Sequence, residues 1–548
     1  MKKKAIALTA IACSLGMMLS GCGGSGDSSS SNASSSIITA YNSEPQNALI
    51  PGDTNETGGG RVGQMLFSNL VSFNAKGDAE MEVAESITPN DDASQYTVKI
   101  KDGWKFTDGT PVTAESFTKA WSYVSNAKNA QKCSSFFSMI KGYDELQDAD
   151  NLKGDEQLSG LTVKDDKTFT VDLNTPDSVF PIKAGYLAFA PLPESFYKDP
   201  KAFGEKPVGN GMYKLDKWDH NSQIALVKND DYKGVQQVKN DGVTFKIYTS
   251  VDSAFADVQS GNLDVMDTVP ASATKTFEKD DSIESYNKAG SVIQTFTIPA
   301  ELDHWKTNTE EGQLRRQALS MAIDRQSIVD KVLNGVGTVA TDFSSPVVPG
   351  YSKDLDHSDN LQYNPDKAKE LWKKANAISS YDGNLTFSFN ADGSAQPVYE
   401  AIVNSVNNVL GSEGLKATTN PMPTLQEFRN AISDRQMTGA FRTGWQPDYP
   451  SIENYLYQLY DSAAADGKGS NDGDYKNADV DKLFTEAMAC TNSDEQIKLY
   501  QDAEVILLQQ LPAIPLYYSN ADGVAAKGVQ GFAMDWQNQP IYNEITKS

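Results

Sequence analysis

The stretch Val243-Thr-Phe-Lys-Ile-Tyr-Thr-Ser-Val-Asp-Ser-Ala-Phe-Ala-Asp-Val-Gln-Ser-Gly-Asn-Leu-Asp-Val-Met266 decides the fold class. Val243–Tyr248 reads as a strand and Val251–Gln259 as a helix. Gly261-Asn262 then turns the chain into a second strand, Leu263–Met266. A strand–helix–strand order predicts a mixed sheet flanked by helices, hence an α/β protein.

The same alternation continues on both sides. Upstream, Ile37–Tyr41 begins the fold as a short strand. Arg61–Val71 places Val62, Met65, Leu66 and Leu70 at helical spacing. Tyr96, Val98 and Ile100 alternate with Thr97, Lys99 and Lys101, the pattern of a half-buried strand. After the turn Asp108-Gly109-Thr110-Pro111, Thr113 is a good helix N-cap, with Val112 and Phe117 as its hydrophobic staple. Phe169–Leu173 alternates again. Gly209–Tyr213, Ile224–Val227 and Asn229–Tyr232 read as paired strands closed by a turn. Downstream, Ile293–Ile298 is a strand, Arg315–Leu333 one helix, Leu385–Phe389 a strand and Val398–Val409 a helix. Ile497–Leu511 is a helix stopped by Pro512, and Ile514–Tyr518 an apolar strand.

With 548 residues, two or three domains are expected. A net charge of −25 argues against nucleic acid, whose binding needs a cationic face, and leaves small ligands open. His220, His304 and His357 are scattered, and no zinc spacing, phosphate loop, nucleophile elbow or dinucleotide fingerprint occurs. Neither a metal nor a cofactor is therefore expected. Carboxylates abound, so counting leaves a glycosidase-like pair open, but no local motif points to one and no enzyme activity is expected. Cys133 and Cys490 are either bridged or two buried free thiols.

Residues 1–21 read as an export signal. Lys2, Lys3 and Lys4 precede an apolar run too short to span a bilayer comfortably. Residues 22–36 are rich in Gly and Ser and read as a flexible tether.

Phe441-Arg-Thr-Gly-Trp-Gln-Pro-Asp-Tyr-Pro450 gathers a guanidinium (Arg442), an indole (Trp445) and a carboxylate (Asp448) around Gly444. A glycine in a strand-like run marks close approach of another backbone. A carboxylate pairs an ammonium, and a guanidinium pairs a carboxylate through two prongs. An extended peptide offers all three partners. The plainer reading is a strand end and turn, with Asp448-Tyr449-Pro450 as turn residues.

Four segments in order resemble one family, the large peptide-binding lipoproteins of bacterial ABC importers (extracellular solute-binding proteins, family 5). They are Lys101–Trp121, Gly209–Tyr213 with Lys228–Tyr232, Gly261–Val265, and Arg316–Val329. Leu19-Ser20-Gly21-Cys22 resembles a bacterial lipobox, which implies diacylglycerol on Cys22. The resemblance implies a two-lobe, periplasmic-binding-protein-like fold (type II, cluster C) with an extra inserted subdomain. Residues 37–60, 206–297 and 516–548 would form the first lobe, 61–205 the inserted subdomain and 298–515 the second lobe. The lobes would be joined by crossings near Thr297 and Pro515.

Arg442-Thr-Gly-Trp-Gln-Pro-Asp-Tyr449 is similar to the family's cleft motif. The likeness implies that Asp448 pairs the α-ammonium of a short peptide and that Trp445 shields the ligand. It implies that the backbone at Gly444 and Gln446 pairs as an added strand, and that Arg442 is available to a carboxylate. Asn42 and Glu44 would face the ligand from the first lobe, although Glu44 is equally a solvated loop carboxylate. The expected partners are short peptides, the permease and ATPase of an ABC importer, and the outer membrane surface of the cell through Cys22. A monomer is expected. Relatives that carry oligosaccharides, metal complexes or haem, and peptide-pheromone receptors, remain open alternatives.

Overall fold

The computed structural model describes residues 36–547. The leader, Cys22 and the tether up to residue 35 lie outside the described residues. The strand–helix–strand unit forms as read. Gly242–Ile247 and Val265–Met266 lie on either side of Ile37–Asn42, both parallel to it. The helix Val251–Gln259 joins them, capped where Ser250 accepts from the Ser253 amide, with Ala254, Phe255 and Val258 buried.

These strands belong to an eleven-stranded sheet. Numbered along the chain, its strands are β1 (Ile37–Asn42), β2 (Tyr213–Asp219), β3 (Gln223–Lys228), β4 (Gly242–Ile247) and β5 (Val265–Met266). Then come β6 (Ile283–Thr297), β7 (Gly337–Val339), β8 (Asn384–Asn390), β9 (Lys416–Met422), β10 (Ala440–Trp445) and β11 (Ala513–Ala526). The spatial order is β9-β8-β10-β6-β11-β5-β1-β4-β3-β2, with β7 also on β11. A four-stranded sheet of Ala84–Pro89, Gln95–Ile100, Thr168–Asp172 and Leu161–Asp165 packs with the helix Ala114–Ser125. Phe117, Ala120, Trp121 and Val124 of that helix are buried, and Trp121 Nε1 donates to the Phe189 carbonyl at 2.8 Å.

Two large hydrophobic cores fill the molecule, beside a small third cluster of Phe428, Ile432 and Phe441. One gathers apolar residues from Ile38 to Ile283 and again from Val524 to Ile545. The other runs from Ile293 to Tyr518. The long antiparallel strands β6 and β11 therefore pass from one core to the other, and their pairing shifts register between Ala289 and Ile293.

Two helices differ from the sequence reading. The helix expected at Arg61–Val71 spans Thr57–Leu66 instead. Glu56 starts it by accepting from the Gly59 amide at 2.9 Å. The Gly211 amide takes the Leu66 carbonyl at 2.8 Å, where the helix ends. The helix expected at Arg315–Leu333 is two, Glu310–Met321 and Arg325–Lys331. Cys133 and Cys490 are both free thiols.

Candidate interlobe binding site

β10 carries the motif into the second core. It pairs antiparallel with β6 from Phe441 to Trp445, whereas its pairing with β8 ends at Phe441. From Arg442 onward one edge of β10 has no partner strand among the described residues. Such an edge is a template for another chain. A Cβ on Gly444 would lie 2.8 Å from the Ile293 carbonyl oxygen, so the neighbour that demands glycine here is β6 itself.

Beyond the strand the chain turns through Gln446–Pro450 into the helix Ile452–Tyr460, whose cap is Ser451. That turn brings Asn454 under the motif. The Asn454 side chain is fully buried. Its Oδ1 accepts from Trp445 Nε1 at 2.8 Å and from the Asp448 amide at 3.0 Å, and its Nδ2 donates to Asp448 Oδ2 at 3.4 Å. One amide thus fixes both the indole and the carboxylate.

Asp448 has no cationic partner within ion-pair reach among the described residues. Burial pushes its carboxyl above the usual carboxylate range, and the Asn454 contact only partly opposes this. The carboxylate lies in the wall of a hollow of about 170 Å³, which Phe73, Tyr186, Leu187, Trp536 and Gln537 also line. Gly444 and Trp445 line a second hollow of about 230 Å³ with Thr443, Arg429 and Asp472. Gln446 is exposed and lines neither hollow. Arg442 is half-buried; among the described residues its only side-chain hydrogen bond, to Asn390 Oδ1, is long at 3.4 Å, and it has no ion pair. Its guanidinium is therefore free for a carboxylate.

Asn42 and Glu44 lie elsewhere and line neither hollow. Asn42 is fully buried. Its Nδ2 donates to the Gly58 carbonyl at 2.9 Å and its Oδ1 accepts from Arg61, which also pairs with Asp267. Glu44 bonds His220 Nδ1 at 2.8 Å and accepts from the Asn221 amide at 2.9 Å. Both serve the first core's own loops. Asn454, Tyr186 and Trp536 had no motif to announce them.

The segment 177–183 docks beside the motif. Lys183 Nζ meets Asp177 Oδ2 at 2.7 Å and Glu453 Oε1 at 3.5 Å, and Tyr449 OH donates to Glu453 Oε2 at 2.8 Å. Asp177, Tyr449 and Glu453 are buried, and the Lys183 side chain is 13% exposed. Desolvation alone would lower the Lys183 ammonium, but the two carboxylates hold it well above its ordinary value.

The model of the family described as "Bacterial extracellular solute-binding proteins, family 5 Middle" matches residues 78–467. The chain belongs to this family. Family 5 proteins bind solutes and are not enzymes, and the same holds for this chain. It is 26% identical over 544 residues to oligopeptide-binding protein OppA of Bacillus subtilis (strain 168), covering 94% of this chain and 95% of the relative. It is 28% identical over 554 residues to oligopeptide-binding protein AppA of the same organism, covering 97% and 96%. The unliganded open form of the periplasmic murein tripeptide binding protein MppA superposes with a TM-score of 0.82 at 22% identity, covering 94% of this chain and 98% of that one. Bacillus subtilis AppA in complex with a nonapeptide gives 0.66 at 22% identity, covering 93% and 98%. The fold is thus the two-lobe α/β architecture of the family 5 binding proteins, as expected.

Proposed function

We propose that the protein is the substrate-binding subunit of an ABC importer and captures short peptides by their free amino end. The observation that carries this reading is the Asp448 carboxylate. It lies in the wall of a hollow, is raised by burial, is held by Asn454 and lacks a cation of its own. An α-ammonium supplies the missing charge. The unpaired edge of β10 from Arg442 to Trp445 offers backbone groups to an extended guest, which gives affinity without reading sequence. Relatives named as oligopeptide-binding agree with this cargo.

The lobes close about β6 and β11. The resemblance drew the crossings near Thr297 and Pro515. The change of core instead suggests Ala289–Ile293 on one strand and Ser519–Gly523 on the other. Closure hides the ligand and presents one shape to the permease. Cys22 carries lipid, and the protein works at the outer face of the cell membrane.

Calorimetry on the full chain tests the central claim. Short peptides with a free amine bind. Their Nα-acetylated counterparts, and any peptide offered to the Asp448→Ala variant, bind about 30-fold or more weakly, the range for losing one partner of a buried charged pair. Equal affinity for free and acetylated peptides would overturn the role of Asp448.

A further inference from the structure

We infer that the hollow beside Asp448 receives a positively charged side chain, so that the preferred cargo is a peptide whose first residue is arginine or lysine. This inference rests on the peptide reading and narrows it.

The walls of this hollow carry three carboxylates, Glu82, Asp448 and Asp535, and no lysine, arginine or histidine. Glu82 is only 2% exposed. Neutral donors hold its oxygens: Tyr232 OH at 2.6 Å, the Val235 amide at 2.9 Å and Ser68 Oγ at 3.2 Å. Lys101 reaches the Met81 and Glu82 backbone carbonyls, at 2.6 and 2.9 Å, and not the Glu82 carboxylate. Glu82 is thus fixed in place with no counter-ion among the described residues. The Gln537 and Gln539 amides both donate to Asp535 Oδ1, at 2.8 and 3.0 Å, and neither uses Oδ2.

A second observation is independent of the carboxylates. Asn69 is 8% exposed, and its Nδ2 is committed to the Gly185 and Tyr186 carbonyls at 2.7 and 2.8 Å. That fixes the amide and leaves the Oδ1 of this lining residue without any donor among the described residues. A buried acceptor left empty is costly, so the site favours a guest that brings donors. Ammonium and guanidinium groups bring donors only. The aromatic wall suits the same guest. Phe73 and Trp536 meet edge to face with centroids 5.6 Å apart, and Tyr186 lies beside them. Ring faces attract cations. A volume of about 170 Å³ suits one long side chain rather than a whole peptide.

The test is a titration series on the full chain with Arg-Ala-Ala, Lys-Ala-Ala, Ala-Ala-Ala and Glu-Ala-Ala, each free and Nα-acetylated. Arg- and Lys-first peptides bind about tenfold or more tighter than Ala-Ala-Ala, and Glu-Ala-Ala binds weakest. Asp535→Asn narrows the gap between Arg- and Ala-first peptides and leaves the acetylation penalty unchanged. If Ala-Ala-Ala binds as tightly as Arg-Ala-Ala while acetylation still weakens both, the inference falls and the peptide reading stands. If no free-amine peptide binds, both fall. The ranking on the parent protein decides the matter even if Asp535→Asn does not fold.

Discussion

Asn454 is the residue on which the motif's geometry turns. Its buried Oδ1 serves two donors, Trp445 Nε1 and the Asp448 amide. Removing that acceptor leaves both donors unsatisfied away from water, at a cost of about 1–3 kcal/mol. Asn454→Ala therefore lowers the urea midpoint without changing the slope; an unchanged midpoint would show that solvent replaces the amide freely. Sequence shows the guanidinium, indole and carboxylate of Arg442, Trp445 and Asp448 because these chemistries are scarce together. It does not show Asn454, an ordinary amide in the first turn of a helix, because its role exists only once Gln446–Pro450 has turned. The likeness set Asn42 toward the ligand, and the period of the strand that carries it points inward instead. Ile38, Ala40 and Asn42 share one face of β1, and that face is the buried one.

Among the elements, short strands such as β1 and β8 and the helix Val251–Gln259 were read to within a residue or so of their ends. However, β6 begins at Ile283 and β11 runs on to Ala526, well outside the expected Ile293–Ile298 and Ile514–Tyr518, and two helices were misjudged. Arg315–Leu333 carries one apolar stripe, but the chain breaks after Met321 because Asp324 caps a new helix by accepting from the Ser327 amide at 2.9 Å. Arg325, fully desolvated, spends its guanidinium on the Pro515 and Ser320 carbonyls at 2.8 and 2.9 Å. Those are tertiary bonds, and the 3.6-residue period is blind to them. The same blindness hides a pair of buried carboxyls. Asp342 follows β7, and Glu504 lies on the helix Ser493–Gln510; both are 0% exposed. Burial pushes Asp342 up to about 7, against the lowering contact with Glu504, and burial followed by the charge of Asp342 pushes Glu504 well above the carboxylate range. Ser344 and the hydroxyls of Tyr351, Tyr460 and Tyr518 surround them, with no basic group. The folded state keeps protons here that the unfolded chain releases near pH 4, so stability falls as pH rises from about 4 through 7. Glu504→Gln removes one of these protons from the balance. Its stability relative to the parent rises between pH 5 and 8 and the pH slope flattens, as thermal unfolding across that range would read. Parallel slopes for the two proteins would mean that the pair does not share its proton.

At the scale of the whole molecule, two cores joined by β6 and β11 need something to set how they meet near the ligand. Lys183 supplies that contact. It comes from the segment 177–183 on the first core and pairs across to Glu453 on the second, two helical turns from the end of the motif helix. Ser178 reinforces the join: its amide donates to the Met488 carbonyl at 2.8 Å and its hydroxyl to the Ala487 carbonyl at 2.9 Å. Breaking a buried ionic cluster by removing one partner typically costs about 3–5 kcal/mol, because the remaining charges stay desolvated and unpaired. Lys183→Met strands the carboxylates of Asp177 and Glu453 side by side, with exposures of 2% and 1%. The single variant therefore loses stability in that range. The triple variant that also carries Asp177→Asn and Glu453→Gln recovers most of it, because no uncompensated charge remains. Denaturant titration separates the two. A single variant as stable as the parent would mean that water reaches the cluster and that the docking of 177–183 rests on Ser178 and apolar contact alone.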